Sequence, residues 1–312
     1  MSAYLKAKKL KPGARLAVVS PASASAPERA QTGVEALRAM GYEPVMMPHT
    51  LARGPLNYAG TARERAADLQ SAFADKSIDG VICMRGGWGS AELPPLLRAE
   101  VVRANPKAFI GYSDHTSLHT WLQQECGLAT FHGPMIVSDF AREGGVDAAS
   151  WNSVLSRAAW EFDSASGMRA MQAGTARGVL RGGCISILAE SLGTAYAFRA
   201  AEDTVLFLED VGNQAYQWDR QLMHLRYAGV LDKVKGIVFG DMAQCAATAE
   251  DAARMEETLR FALRGFTGPV AIGLRSGHVN GANITLPLGV QAELDVSGED
   301  ARLRSLEAAE GE

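Results

Sequence analysis

The sequence predicts an α/β chain in two parts, a parallel-sheet α/β domain over residues 1–165 and a smaller β-rich domain over 175–312. Three observations predict it. The chain of 312 residues exceeds what one hydrophobic core usually serves. In its first half, short apolar runs alternate with segments of helical periodicity, which is the mark of right-handed parallel βαβ units. In its second half, β segments predominate and helical segments are few. The weakly patterned stretch 138–176, with Glu143-Gly144-Gly145 and Asp163-Ser164-Ala165-Ser166-Gly167, is where the chain is expected to pass between domains.

Residues 15–20 read as the first strand, with Leu16-Ala17-Val18-Val19 suited to burial on both faces. The loop Ser20-Pro21-Ala22-Ser23 leads to a helix over 27–40, where Ala30, Val34 and Leu37 repeat at helical spacing and Gly41 ends the run. A second strand follows at 42–47, then a helix at 61–76 with Ala66, Leu69, Ala72 and Phe73 inward, and a third strand at 78–84. Ala108-Phe109-Ile110-Gly111 is the next strand, followed by a helix at 117–125, a short strand with a turn at 129–135 and a helix at 148–159. The second half reads as a strand at 175–180, a glycine turn Arg181-Gly182-Gly183-Cys184, a helix at 185–192 and an apolar strand at 204–208 that ends in Glu209-Asp210. A helix at 216–225, strands at 234–239 and 269–274, and a hairpin or two adjacent short strands at 284–294 complete it.

Composition excludes several function classes. Hydrophobic residues at 47% and charged residues at 21% describe an ordinary soluble domain. A net charge of -4, with Lys and Arg scattered apart from Lys6, Lys8, Lys9 and Lys11, leaves no nucleic-acid footprint. The sequence has no apolar run of about 18 residues, so no membrane span is expected. Residues 1–11 lack the apolar stretch of a secretory signal, and a cytoplasmic location is expected. Cys83, Cys126, Cys184 and Cys245 are far apart and read as reduced and mostly buried. His115 and His119 share a helix face, but Thr116 follows where a zincin motif has glutamate, and no carboxylate or thiolate cluster accompanies them. Neither a metal nor a cofactor is expected.

The stretch Gly111-Tyr112-Ser113-Asp114-His115 joins a strand to a helix through one tight polar turn. A serine there is lifted off the strand end, and the amide of the next residue points at whatever the hydroxyl attacks. Ser113 is the candidate nucleophile, and the competing reading is a serine that only caps the helix. Arg85-Gly86-Gly87-Trp88-Gly89-Ser90 follows another parallel strand, and thus lies at the same sheet edge. Its glycines let backbone approach a bound group, and Trp88 offers a flat ring to line a site. The spacing is not that of a dinucleotide loop, and a Walker lysine is missing. The amides of Gly87 and Asp114 are candidate oxyanion donors, against the alternative of a loop that merely packs on the sheet. Serine hydrolysis also needs a base and an acid that orients it. His278, in a glycine-flanked turn, and Glu209 are candidates. His132 competes as base, and Asp210 and Asp219 compete as orienter.

Taken in order, Arg85-Gly86-Gly87-Trp88-Gly89, Ile110-Gly111-Tyr112-Ser113-Asp114, Leu206-Phe207-Leu208-Glu209-Asp210 with Tyr216 and Asp219-Arg220, and Gly277-His278 with Leu286-Pro287-Leu288-Gly289 span nearly the whole chain. This ordered set resembles the LD-carboxypeptidase family of serine peptidases, which includes muramoyltetrapeptide carboxypeptidases and microcin C immunity proteins. The resemblance implies an N-terminal domain similar to class I glutamine amidotransferases, a smaller β-rich C-terminal domain and an active site between them. It implies Ser113 as nucleophile, His278 as general base, Glu209 as orienter, Gly87 and Asp114 as oxyanion donors, no metal and a homodimer. Two positions depart from the family pattern. Trp88 stands where tyrosine is frequent, and Cys184 where asparagine is common.

The expected activity is release of terminal D-alanine from a cytoplasmic muropeptide tetrapeptide in cell-wall recycling. A peptidyl-nucleotide hydrolase would use the same triad, and stacking on adenine would call for an aromatic pair, of which Trp88 supplies one ring. An amidotransferase-like glutaminase would need cysteine where Ser113 stands. A binding protein that kept the cleft would show affinity without turnover.

Overall fold

The computed structural model describes residues 4–307. The chain divides into two compact units, one formed by residues up to Ala158 together with Ala282–Gly289, the other by Ala159–Gly281 and the chain from Val290 onward. Among the described residues no helix is long and apolar enough to cross a membrane.

The first unit contains, in order, β1 (Arg15–Val19), α1 (Pro27–Ala39), β2 (Glu43–Met46), α2 (Ala62–Ala74), β3 (Gly80–Cys83), α3 (Ala99–Ala104), β4 (Ala108–Gly111), α4 (Thr116–Cys126), β5 (Thr130–His132) and α5 (Ala148–Leu155). The central strands β1, β3 and β4 are short and apolar because both faces are covered; Leu16, Ala17, Val18 and Val19 of β1 are all fully buried. α1 starts on Pro27, where a missing amide costs nothing, and buries Ala30, Val34 and Leu37. α2 begins with a capping box in which Thr61 and Glu64 satisfy each other's free amides.

The strands line up as β2-β1-β3-β4-β5, all parallel, with a further strand antiparallel to β5 at the edge. The order reverses beside β1. Loops leaving the carboxyl ends of β1, β3 and β4 therefore converge at a switch point, the usual ligand position in an open α/β sheet.

The second unit contains β6 (Glu161–Phe162), β7 (Arg169–Gln172), β8 (Gly174–Cys184), α6 (Ile185–Ser191), β9 (Thr204–Glu209), α7 (Ala215–Tyr227), β10 (Val234–Gly240), α8 (Ala249–Ala262) and β11 (Val270–Leu274). After β12 (Leu286–Leu288), the edge strand of the first sheet, the chain returns as β13 (Val290–Ser297) and β14 (Asp300–Ser305). The second unit is smaller, yet its sheet has eight strands against six, in the order β6-β14-β13-β8-β9-β10-β11-β7. The centre, β8 to β11, is parallel and advances in one direction, so its crossovers place α6, α7 and α8 on one face. Leu188, Trp218, Leu222, Leu225, Met255 and Leu259 from those helices pack on Leu206, Leu208, Ile237 and Phe239.

Three expectations are corrected here. Gly182-Gly183 is not a turn: β8 runs through it to Cys184 and keeps register with β9. A Cβ on Gly182, whose φ is +134°, would overlap the Phe207 carbonyl oxygen, so the glycine serves close strand approach. Of the two readings of residues 284–294, the hairpin falls and the adjacent strands stand, since β12 pairs with β5 in one sheet and β13 with β8 in the other. Finally, the second half gains α8, a helix the sequence reading omits although Thr248 and Asp251 form a capping box at its start. Gly182→Ala should cost about 3 kcal/mol or more through overlap and strained φ together. An unchanged urea midpoint would mean that β8 shifts at little cost.

Candidate active site

At the end of β4 the chain passes through Tyr112 into one 3₁₀ turn, Ser113–His115, and then into α4. Ser113 has φ +66°, the left-handed region that costs a residue with a Cβ about 1 kcal/mol or more. This strained bend is how a strand-to-helix turn presents a serine hydroxyl. The helix-cap alternative is not realised, because the helix start carries no side-chain cap bond. Ser113 is half-buried, less open than a turn serine suggests. The reason is Gly86, where a Cβ would stand 3.0 Å from Ser113 Oγ. Only glycine lets the loop after β3 pass so near.

That loop is locked on both sides. Gly87 has φ +112°, and Trp88 donates its amide to Ser23 Oγ in the loop after β1 at 3.2 Å. Arg65 of α2, 2% exposed, donates to the carbonyls of Pro21 and Gly89, each at 2.7 Å, pairs with Glu92 and lies over the Tyr58 ring. Ser90 donates its amide to Asp114 Oδ2 at 2.8 Å and its hydroxyl to the Asp114 carbonyl at 2.6 Å. Burial pushes the Asp114 carboxyl up, and the Ser90 amide opposes that. Among the described residues, the amides of Gly87 and Asp114 meet no protein acceptor. Trp88 is 51% exposed beside them.

The neighbouring histidines are packing residues. His115 Nε2 lies 2.9 Å from the Arg85 carbonyl and His119 Nε2 2.8 Å from the Gly111 carbonyl, which assigns the proton to Nε2 in both. His119 Nδ1 sits 2.9 Å from Thr130 Oγ1. His132, the competing base, is fully buried on β5, its ring 5.8 Å from Tyr112 and 6.2 Å from His119. Among the described residues no group of three or more His, Cys, Asp or Glu could hold a metal ion. Burial lowers the pKa of His115 to about 4 and of His119 to about 3. An unfolded imidazole titrates near 6.5, so below that pH the unfolded chain takes up protons that the folded one refuses. Stability is full above pH 6.5 and falls on acidification by up to about 1.4 kcal/mol per pH unit per ring. His119→Gln should flatten the dependence of the urea midpoint between about pH 6 and pH 4.5 by one proton's share. An equally steep slope would locate the linkage elsewhere.

In the second unit, Glu209 closes β9 and His278 lies in the loop after β11. Glu209 is 1% exposed, and its Oε2 accepts from both the His278 amide at 3.0 Å and His278 Nδ1 at 2.7 Å. Gly277, at φ +98°, makes the bend before the histidine. A Cβ on Gly240 would stand 2.6 Å from Glu209 Cβ, so β10 carries glycine where the acid needs room. Of the three competing acids only Glu209 is bonded to His278. Asp210 accepts from the amides of Ser186 and Val211 and from Asn213, while Asp219 sits on α7. Burial, with Glu209 beside it, pushes the Asp210 carboxyl up. Cys184 is paired in register with Glu209 and lies 3.3 Å from Ser186 Oγ, a buried thiol raised by burial and by Glu209 and Asp210.

Residues 16–133 match the LD-carboxypeptidase N-terminal domain and residues 177–294 the LD-carboxypeptidase C-terminal domain. The chain belongs to the LD-carboxypeptidase family. A Streptomyces coelicolor protein that carries a carboxypeptidase name is 41% identical over 92% of each chain. Among solved structures, an MccF-like protein of Bacillus anthracis is 26% identical with a TM-score of 0.85, covering 96% of this chain and 99% of its own. MccF itself is named as a microcin C7 self-immunity protein. A muramoyltetrapeptide carboxypeptidase of Oxalobacter formigenes is 25% identical with a TM-score of 0.80, covering 94% and 99%. In this LD-carboxypeptidase family member, sequence reasoning missed the residues that hold the glycine loop: Arg65, Ser90 and Ser23. Arg65 left only a positional trace, four residues before Leu69 and so on the buried face of α2.

Proposed function

We propose that the protein is a serine LD-carboxypeptidase that releases terminal D-alanine from cytoplasmic muropeptide tetrapeptides, acting as a homodimer without a metal. The observation that carries this reading is the Glu209–His278 bond at 2.7 Å. It fixes the imidazole through Nδ1, an arrangement useful to a base that works through Nε2. The strained Ser113 and the two amides without protein acceptors supply the rest.

Ser113 Oγ attacks the carbonyl that joins an L-configured centre to D-alanine, while His278 Nε2 takes the hydroxyl proton. The oxyanion is held by the amides of Gly87 and Asp114; one such donor is typically worth about 10² to 10³ in turnover. As the carbon–nitrogen bond breaks, His278 returns the proton to the leaving amine. Water, deprotonated by His278, then cleaves the acyl ester and restores Ser113. Trp88 would line the substrate's path. Mass-spectrometric detection of D-alanine release from a muramoyl tetrapeptide, with a chelator present, tests the reading. Release is expected to be indifferent to the chelator. Its absence would overturn the reading.

The likeness to an MccF-like structure favours one second reading, hydrolysis of a peptidyl-nucleotide by the same triad. Turnover of a peptidyl-nucleotide in the absence of D-alanine release would establish it.

A further inference from the structure

Arg85 opens the glycine loop, and its guanidinium is the one charged group that the loop carries. Its bonds are long ones to backbone carbonyls: Nε to Gly86 at 3.3 Å and Nη1 to Ala24, in the loop after β1, at 3.4 Å. Among the described residues it forms no ion pair with a carboxylate, and Nη2 meets no acceptor. Arg65, which reaches the same loop from α2, behaves differently. That side chain is buried, bonded to two carbonyls and paired with Glu92, so its charge is spent on structure. The half-buried Arg85 charge is not.

Its placement is specific. A Cβ built on Gly87 would lie 3.8 Å from Arg85 Nη2, and one built on Gly86 would lie 3.0 Å from Ser113 Oγ. The guanidinium thus flanks the residue whose amide is the oxyanion donor, one residue along the loop from the point that touches the serine. A carboxypeptidase substrate carries a free carboxylate one residue beyond the bond it loses. Consecutive Cα positions are about 3.8 Å apart, so that carboxylate stands within a few ångströms of the attacked carbonyl. An arginine fork binds a carboxylate bidentately with charge-assisted hydrogen bonds.

We propose that Arg85 is the receptor for the terminal carboxylate of the substrate, and that it makes this serine peptidase an exopeptidase. The inference rests on the serine carboxypeptidase reading above. Arg85 holds the part of the substrate that does not react, so its loss weakens binding more than it slows chemistry.

The experiment compares a tetrapeptide ending in D-alanine with the same peptide ending in D-alanine amide, using the whole protein, Arg85→Gln, Arg85→Lys and Ser113→Ala. Wild type should prefer the acid by about 10²-fold in kcat/KM, a difference carried by KM. Arg85→Gln should lose that preference by falling on the acid and not on the amide, while Arg85→Lys should recover part of it. Unchanged melting temperatures would show that the loop has not collapsed. A preference for the acid that survives in Arg85→Gln overturns the proposal, as does an equal loss of kcat on both peptides, which would assign the charge to the oxyanion. Release of D-alanine by Ser113→Ala would instead sink the serine mechanism, so the two failures are distinguishable.

Discussion

Ser113→Ala is expected to leave a folded protein with kcat reduced by roughly 10⁴ to 10⁶ and KM nearly unchanged. The hydroxyl is the only group removed. It caps no helix and is half-buried, so little packing goes with it. Ser113→Gly sharpens the test. Glycine occupies φ +66° without the steric cost borne by serine, so this variant should be equally inactive yet more stable by about 1 kcal/mol. Activity lost without a stability gain would argue that the turn relaxes once the side chain is gone. Activity retained in either variant would remove Ser113 from the chemistry.

Glu209→Gln is expected to cost about 10³ to 10⁴ in kcat. One oxygen of Glu209 receives both the amide and Nδ1 of His278, so the acid sets the position and the tautomer of the ring together. An amide side chain can present NH₂ where that oxygen sits, which would turn the imidazole or reverse its tautomer. Asp210→Asn is the control. Asp210 is bonded to backbone amides and Asn213, and its effect should fall on stability, with kcat within a few-fold of wild type. Equal losses of kcat in the two variants would mean that the acidic pair works as a unit.

Most of the first unit is legible in the sequence because its signals are local. Apolar runs such as Leu16-Ala17-Val18-Val19 and helical repeats such as Ala30, Val34 and Leu37 mark elements that bury those same residues. What local signals miss is a neighbour distant in sequence. Gly182 looks like a turn residue, and only the approach of Phe207 shows why a strand needs it. Residues 284–294 read equally as a hairpin or as adjacent strands, because spacing cannot tell which sheet takes which strand. The same limit applies to the site. Ser113 declares itself through its own turn, whereas the choice among Glu209, Asp210 and Asp219 depends on which one His278 reaches. Arg65 is hidden because a lone charge within a helical repeat reads as solvated surface.

β12 pairs with β5 across more than 150 residues of sequence. During synthesis, therefore, the first sheet cannot close its edge until residue 288 has left the ribosome, long after the other five strands are made. Until then the emerging chain carries β5 with an unfilled row of backbone donors and acceptors, the feature by which sheets recruit strange strands. A fragment that stops at residue 158 would keep that open edge permanently. It should be far more prone to aggregate than its apolar content suggests, and added β12 peptide should relieve it.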